Sequence, residues 1–199
     1  MEIGLYYRKV IQMKVAIFIS GPKRHLNYVL ETFDFIMRDK KIDFDFFIHI
    51  WGQETGNKSR DFDFTVEDIL KKYSIRSFHI EKAIDDVKFD AIYGGWTDTH
   101  SKASSLAGMF VGINRLIGTL TSSHDFKSFT HILRLRTDMA VVTKDFFKNI
   151  SLTADKIYIA KNNIIPPSWV SDHMMLAKVD DFISIWGFDN FENHIVKFS

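Results

Sequence analysis

The chain has no cysteine, which excludes disulfides, thiolate zinc sites and thiol nucleophiles and fits a reducing, cytoplasmic setting. It has no excess of charge: 26 basic residues stand against 25 acidic ones, net +1, without the basic stripe of a nucleic-acid binder. No apolar run approaches the roughly 18 residues that a membrane helix needs. The first residues, MEIGLYYRKVIQ, lack a signal peptide's apolar core and small-residue cleavage site. No GxGxxG or GxxxxGKS occurs, so neither the dinucleotide fingerprint nor the P-loop applies. Repeats and low-complexity tracts are absent as well.

What is present is an apolar, aromatic composition: 46% hydrophobic residues, and 19 Phe among 199. That length supports one compact domain burying roughly 70% of its unfolded surface. MKVAIFISG from Met13 reads as a natural start, so a single domain over 13–199 is expected, with 1–12 as an extension. DNFENHIVKFS carries no stop signal, and a C-terminal truncation is expected.

KVAIFI (14–19) is a continuous apolar run suited to a strand buried on both faces, ended by Ser20-Gly21-Pro22. Leu26, Val29, Leu30, Phe33, Ile36 and Met37 then make one helical face. DFFIHIW (45–51) is a second buried strand, giving a βαβ unit with parallel pairing. Beyond a polar loop at 52–64, Thr65–Tyr73 reads as a short helix capped by Thr65 and Asp68, and Arg76–Ile80 as a third strand. The clearest helix is 102–120, with Leu106, Met109, Phe110, Ile113, Leu116, Ile117 and Leu120 in register. Gly108 and Gly112 fall off that stripe; they weaken the helix unless something must approach closely. Further strands are expected at 131–139 and Lys156–Ala160. Pro166-Pro167 breaks the chain, Met174–Ala177 is apolar, and a last helix spans Asp180–Trp186. The fold class is α/β, a mostly parallel central sheet flanked by helices.

HILRLRTDM (131–139) carries the strongest chemical signal. Period-2 alternation puts Ile132, Arg134, Arg136 and Asp138 on one face and Leu133 and Leu135 on the other. Charges at the carboxyl end of an apolar strand lie where open α/β sheets bind ligands. Arginine forks match phosphate, and an aspartate can hold a divalent cation that also touches phosphate. The plain alternative is a solvated strand end with an internal salt bridge. Ser20-Gly21-Pro22-Lys23-Arg24 reads either as a simple turn or as a nucleotide contact whose Lys23 and Arg24 favour phosphate. Ser171-Asp172-His173 reads either as a helix cap or as a general base and metal ligand; Asp138 with His173, or with Asp172, can share one divalent ion. His49, inside FFIHIW, is read as a satisfied core group. Asp43, Asp45, Asp61 and Asp63 rank below Asp138 as ligands.

The order KVAIFISGP, amphipathic helix, DFFIHIW, Arg-x-Arg-x-Asp, SDHMMLAK resembles bacterial glycosyltransferases of surface-polysaccharide synthesis, including the WavE-type lipopolysaccharide-synthesis family. The resemblance spans about 13–187 and implies a GT-A-like (Rossmann-like) fold. It implies transfer of a sugar from a nucleotide sugar to a surface glycan or lipid-linked oligosaccharide, on the cytoplasmic side with peripheral contact at the inner membrane. By the same resemblance Asp138 holds Mn²⁺ or Mg²⁺, Arg136 meets the diphosphate, Ser20, Gly21 and Pro22 meet the nucleotide, and Asp172 is the catalytic base. From the residues themselves His173 is a second metal ligand, Arg134 joins Arg136 at the diphosphate, and Arg24 favours phosphate. Arg136 departs from the family's Asp-x-Asp pattern, which favours an alternative, a non-catalytic GT-A-like domain that binds a glycan or a partner enzyme. A third reading, a nucleotidyltransferase, would also use an α/β sheet and a metal but is opposed by the absence of a glycine-rich phosphate loop.

Overall fold

Long apolar runs and two amphipathic stripes build a layered α/β domain. The computed structural model describes residues 13–22, 25–52, 66–82, 103–139, 150, 155–160 and 173–188. The elements are β1 (Lys14–Pro22), α1 (Leu26–Asp39), β2 (Asp43–Trp51), α2 (Val66–Lys72), β3 (Ile75–Glu81), α3 (Ala103–Thr121), a 3₁₀ turn (Phe126–Ser128), β4 (His131–Arg136), β5 (Tyr158–Ile159), β6 (Met174–Lys178) and α4 (Val179–Trp186). The Thr65 cap and most of the 52–64 loop lie outside the described residues.

The strands form one six-stranded sheet in the order β3-β2-β1-β4-β6-β5. β1 pairs in parallel with β2 and with β4, and β2 in parallel with β3. The expectation of a mostly parallel sheet needs correction at the far side. There β6 runs antiparallel to both β4 and β5, and the sheet is mixed. Period-2 alternation divides the core in two. Ile17, Ile19, Leu133 and Leu135 pack with the stripe of α1 and with Ile69 of α2. Ala16, Phe18, Phe47 and Ile132 pack on the other face with Ile113, Leu116 and Leu120 of α3 and Phe182 and Trp186 of α4.

β1 does not stop at Ile19 as its sequence suggested. Its ladder with β2 continues through Ser20↔His49 and Gly21↔Ile50 to Pro22↔Trp51. Glycine makes this possible. Gly21 has φ +144, a region that L side chains rarely adopt, and a Cβ there would lie 2.8 Å from Thr137 Oγ1. Pro22 takes the last strand position, where a missing N–H costs least.

At the amino edge of the sheet, ion pairs tie three strands to the loop before β4. Lys14 Nζ lies 2.9 Å from Asp45 and 3.5 Å from Asp125, and Arg76 lies 2.7 Å from Asp125. Ser74 Oγ donates to Asp45 at 2.9 Å. Burial opposes the charge on Lys14, but Asp45, then Asp43 and Asp125, outweigh it and raise its pKa. Asp43 and Asp45 thus lie at the sheet's amino end, with Asp45 held by Lys14 and Ser74.

Replacing Gly21 with Ala should destabilise the protein by about 1–3 kcal/mol, from the steric and φ costs together. Gly21→Ala with Thr137→Ala should recover only the steric share. Urea denaturation of both variants measures the split; a Gly21→Ala protein as stable as the parent would contradict it.

Candidate functional site at the carboxyl edge of the sheet

The chain winds outward from β1 through β2 to β3, then crosses to β4 on the other side of β1. Such a reversal leaves a crevice outside the strand carboxyl ends, where open α/β sheets bind ligands. At this reversal Ser20, Gly21 and Pro22 end β1, and beside them Arg136 ends β4, with Thr137 and Asp138 following it. Ser20 is the register partner of Arg136, and the Gly21–Thr137 approach closes the gap between the strands.

Two arms of the Arg-x-Arg-x-Asp segment behave differently. β4 ends at Arg136, and Asp138 sits in the following turn rather than on the strand. Its carboxylate folds back on Arg136, accepting from Nε at 3.0 Å and from the terminal Nη2 at 2.9 Å. This is the two-pronged geometry that arginine uses for carboxylate and phosphate alike. The pair is part exposed, 32% for Arg136 and 23% for Asp138. Arg134 lies one strand repeat deeper and is fully buried, its guanidinium carbon 5.1 Å from the centre of the Trp186 ring. It belongs to the layer between sheet and α4 rather than to the strand end. The carbonyl of His173 accepts the N–H of Arg136 at 3.2 Å, so β6 delivers His173 to the same edge. Lys23, Arg24, Ser171 and Asp172 lie outside the described residues.

Among the described residues no divalent-cation site is assembled. Asp138 gives both oxygens to Arg136, so an ion there would stand against a guanidinium. Among the described residues no group of three or more His, Asp or Glu side chains is gathered for a metal.

A second polar row crosses the sheet beside the crevice. Arg136, Ser20, His49 and His79 are consecutive register partners on β4, β1, β2 and β3, and Trp51 partners Glu81 one repeat further out. Helix α3 covers this row with a stripe that sequence reasoning did not assemble: Gly108, Gly112, Arg115 and Thr119. A Cβ on Gly108 would lie 3.3 Å from the Trp51 indole, and one on Gly112 would lie 2.9 Å from His49 Nδ1. Arg115 Nε reaches Glu81 at 3.2 Å, and His79 Nε2 lies 3.1 Å from Thr119 Oγ1. The off-stripe glycines were the available signal; their spacing of four, with Arg115 and Thr119 following at three and seven, marks one helix face.

His49 is a core group, as read from sequence, but not a satisfied one. It is fully buried, and neither ring nitrogen has a hydrogen-bond partner; Ser20 Oγ and Thr137 Oγ1, also buried, have none. A Glu81 carboxylate oxygen lies 3.7 Å from His49 Nε2. Each such group costs about 1–3 kcal/mol, so three at one edge are not explained by packing.

No protein-family model matches the chain, and no curated protein matches it.

Burial pushes the pKa of His49 down; Glu81 pulls it up, and His79 and Arg115 push it further down. Burial, then Lys178, lowers that of His131. Both groups therefore bind protons more weakly folded than unfolded. Stability should be level above about pH 7 and fall as pH drops through about 6.5, by up to about 1.4 kcal/mol per pH unit for each histidine. Urea midpoints measured between about pH 7.5 and 5.5 test this; His49→Gln should remove part of the slope, and a flat profile in the parent protein would refute it.

Proposed function

We propose that this protein is a GT-A-like glycosyltransferase that moves a sugar from a nucleotide-sugar donor to a surface glycan or its lipid-linked precursor. The observation that carries the reading is the meeting of Ser20-Gly21-Pro22 with the Arg136–Asp138 fork at the reversal between β1 and β4. Leaving-group stabilisation needs positive charge aimed at a diphosphate. Arg136 supplies a planar fork that can exchange the Asp138 carboxylate for phosphate oxygens with the same geometry. In this reading Asp138 holds the fork in place until the donor arrives. Backbone around Ser20 and Gly21 meets the nucleoside, and the charge of Arg24 favours the phosphates. Asp172 takes the proton from the acceptor hydroxyl. If Mn²⁺ or Mg²⁺ takes part, Asp138 and His173 are its proposed ligands, and Asp138 must first leave Arg136. The proposed setting is the cytoplasm, peripheral to the inner membrane, where lipid-linked acceptors are met. Among the described residues no helix is long and apolar enough to cross a membrane.

The closed Arg136–Asp138 pair also favours a second reading, a non-catalytic GT-A-like domain that binds a glycan or a partner enzyme. The two readings separate on donor binding. UDP-, GDP- and CMP-sugars should be screened by thermal unfolding with and without Mn²⁺. A donor at about 100 times its Kd adds about 2.7 kcal/mol, which raises Tm by roughly 5–10 °C for a chain of this size. No shift with any donor under either condition would sink the enzymatic reading. Arg136→Ala should lose donor binding at least about tenfold, the value of one charge-assisted contact. Asp138→Ala should abolish transfer, and unchanged transfer would remove Asp138 from the site.

A further inference from the structure

Helix α3 lies on the carboxyl edge of β2 and β3 in two distinct ways. Its lower half is held by apolar contact, Ile113, Leu116 and Leu120 against Phe18 and Phe47. Its upper half packs Met109 and Phe110 against the same layer, with the Phe110 and Trp186 ring centres 5.5 Å apart, and turns a second, polar-facing side to β2 and β3. Gly108 and Gly112 bring the helix down onto the Trp51 indole and the His49 ring, and the two rings themselves touch edge to face with centres 4.6 Å apart. A buried imidazole with no hydrogen bond is a poor structural choice there, because an apolar side chain would fill the space without the desolvation cost. The groups around it suggest a use for its proton.

Glu81 stands between two cation sites. It now holds Arg115 of α3 at 3.2 Å, which fastens the helix to β3. His49 Nε2 waits 3.7 Å away on its other side. We infer that His49, Glu81 and Arg115 form a proton-operated latch that seats the first half of α3 on the carboxyl edge of the sheet. With His49 neutral, Glu81 serves Arg115 and the helix is closed on Trp51. A proton on His49 turns the ring into an imidazolium beneath Gly112. Glu81 then moves to it, the Arg115 contact loosens, and α3 lifts from Trp51. Among the described residues, the charged and titratable groups facing His49 are Glu81 and His79 on β3 and Arg115 on α3; β1 contributes only Ser20. Glu81 favours the proton, while His79 and Arg115 oppose it. Because burial holds the pKa of His49 below its ordinary value, the latch opens on the acid side of the usual histidine range. It uses none of the groups assigned to donor chemistry, so it stands or falls apart from the proposed activity.

Hydrogen–deuterium exchange of the full chain between about pH 7.5 and 4.5, a range reaching well below the ordinary histidine value, corrected for intrinsic rates, tests the latch. Amides 108–115 should exchange on the order of tenfold faster at the acid end, while those of β1 and β2 stay protected. His49→Gln should remove the difference. Glu81→Gln should move its midpoint to lower pH, and Arg115→Gln should move it higher and speed exchange even at neutral pH. The inference is overturned if amides 108–115 show no pH response. It is also overturned if β1 opens together with them, or if the response survives in His49→Gln. Should His49→Gln fail to fold, an unmoved midpoint in Glu81→Gln overturns it equally.

Discussion

Everything in this fold is arranged around β1. It is hydrogen-bonded in parallel on both edges, to β2 and to β4, and covered on both faces by helices. The middle of a strand so enclosed is a costly place for an unsatisfied polar side chain. From Val15 to Ile19 it is wholly apolar and at most 1% exposed. Polar chemistry is therefore expelled to the two ends of the sheet. At the amino end it becomes the Lys14–Asp45–Asp125–Arg76 network. At the carboxyl end it becomes the crevice and the row from Arg136 to His79.

The same enclosure explains what could be read in advance. Runs such as KVAIFI and DFFIHIW, and the stripes of α1 and α3, are apolar because burial demands it, so the layers and the first βαβ unit were legible. The shared face of Ile132, Arg134 and Arg136 follows from period 2 alone. Direction was less legible: MMLAK fits a buried strand whichever way it runs, and only its pairing with β4 reveals that β6 is reversed. The length of β1 was misjudged because Ser-Gly-Pro signals a turn, whereas Gly21 uses its freedom to stay extended beside Thr137.

The site was legible in its members more than in their relations. Alternation put Arg134 and Arg136 on one face, but depth separates them: one is buried beside Trp186 and the other reaches the edge. Asp138 lies past the last strand residue, so a turn rather than alternation sets its direction, and it closes on Arg136. The stripe of Gly108, Gly112, Arg115 and Thr119 escaped notice because hydrophobic periodicity cannot register glycine. Its meaning appears only when Trp51, His49, Glu81 and His79 are brought beneath it from separate strands. Helix α3 thus carries two faces, one that holds the sheet and one that meets its working edge.

The position of β4 also sets the order in which the molecule can be made. β1, α1 and β2 are close in sequence and can pair as soon as they leave the ribosome. The other edge of β1 must wait for residues far down the chain; Thr130 Oγ1 and the Lys14 carbonyl, which meet where the two strands begin, are 116 residues apart. Synthesis at about 5–20 residues per second leaves that edge open for several seconds or more. During this interval a strand whose middle, Val15–Ile19, is wholly apolar presents an unpaired row of backbone donors and acceptors, the form in which chains join one another. The central position that protects β1 in the finished fold is thus the source of its greatest exposure during birth, and a cell making this protein quickly would meet its aggregation risk there rather than at the surface.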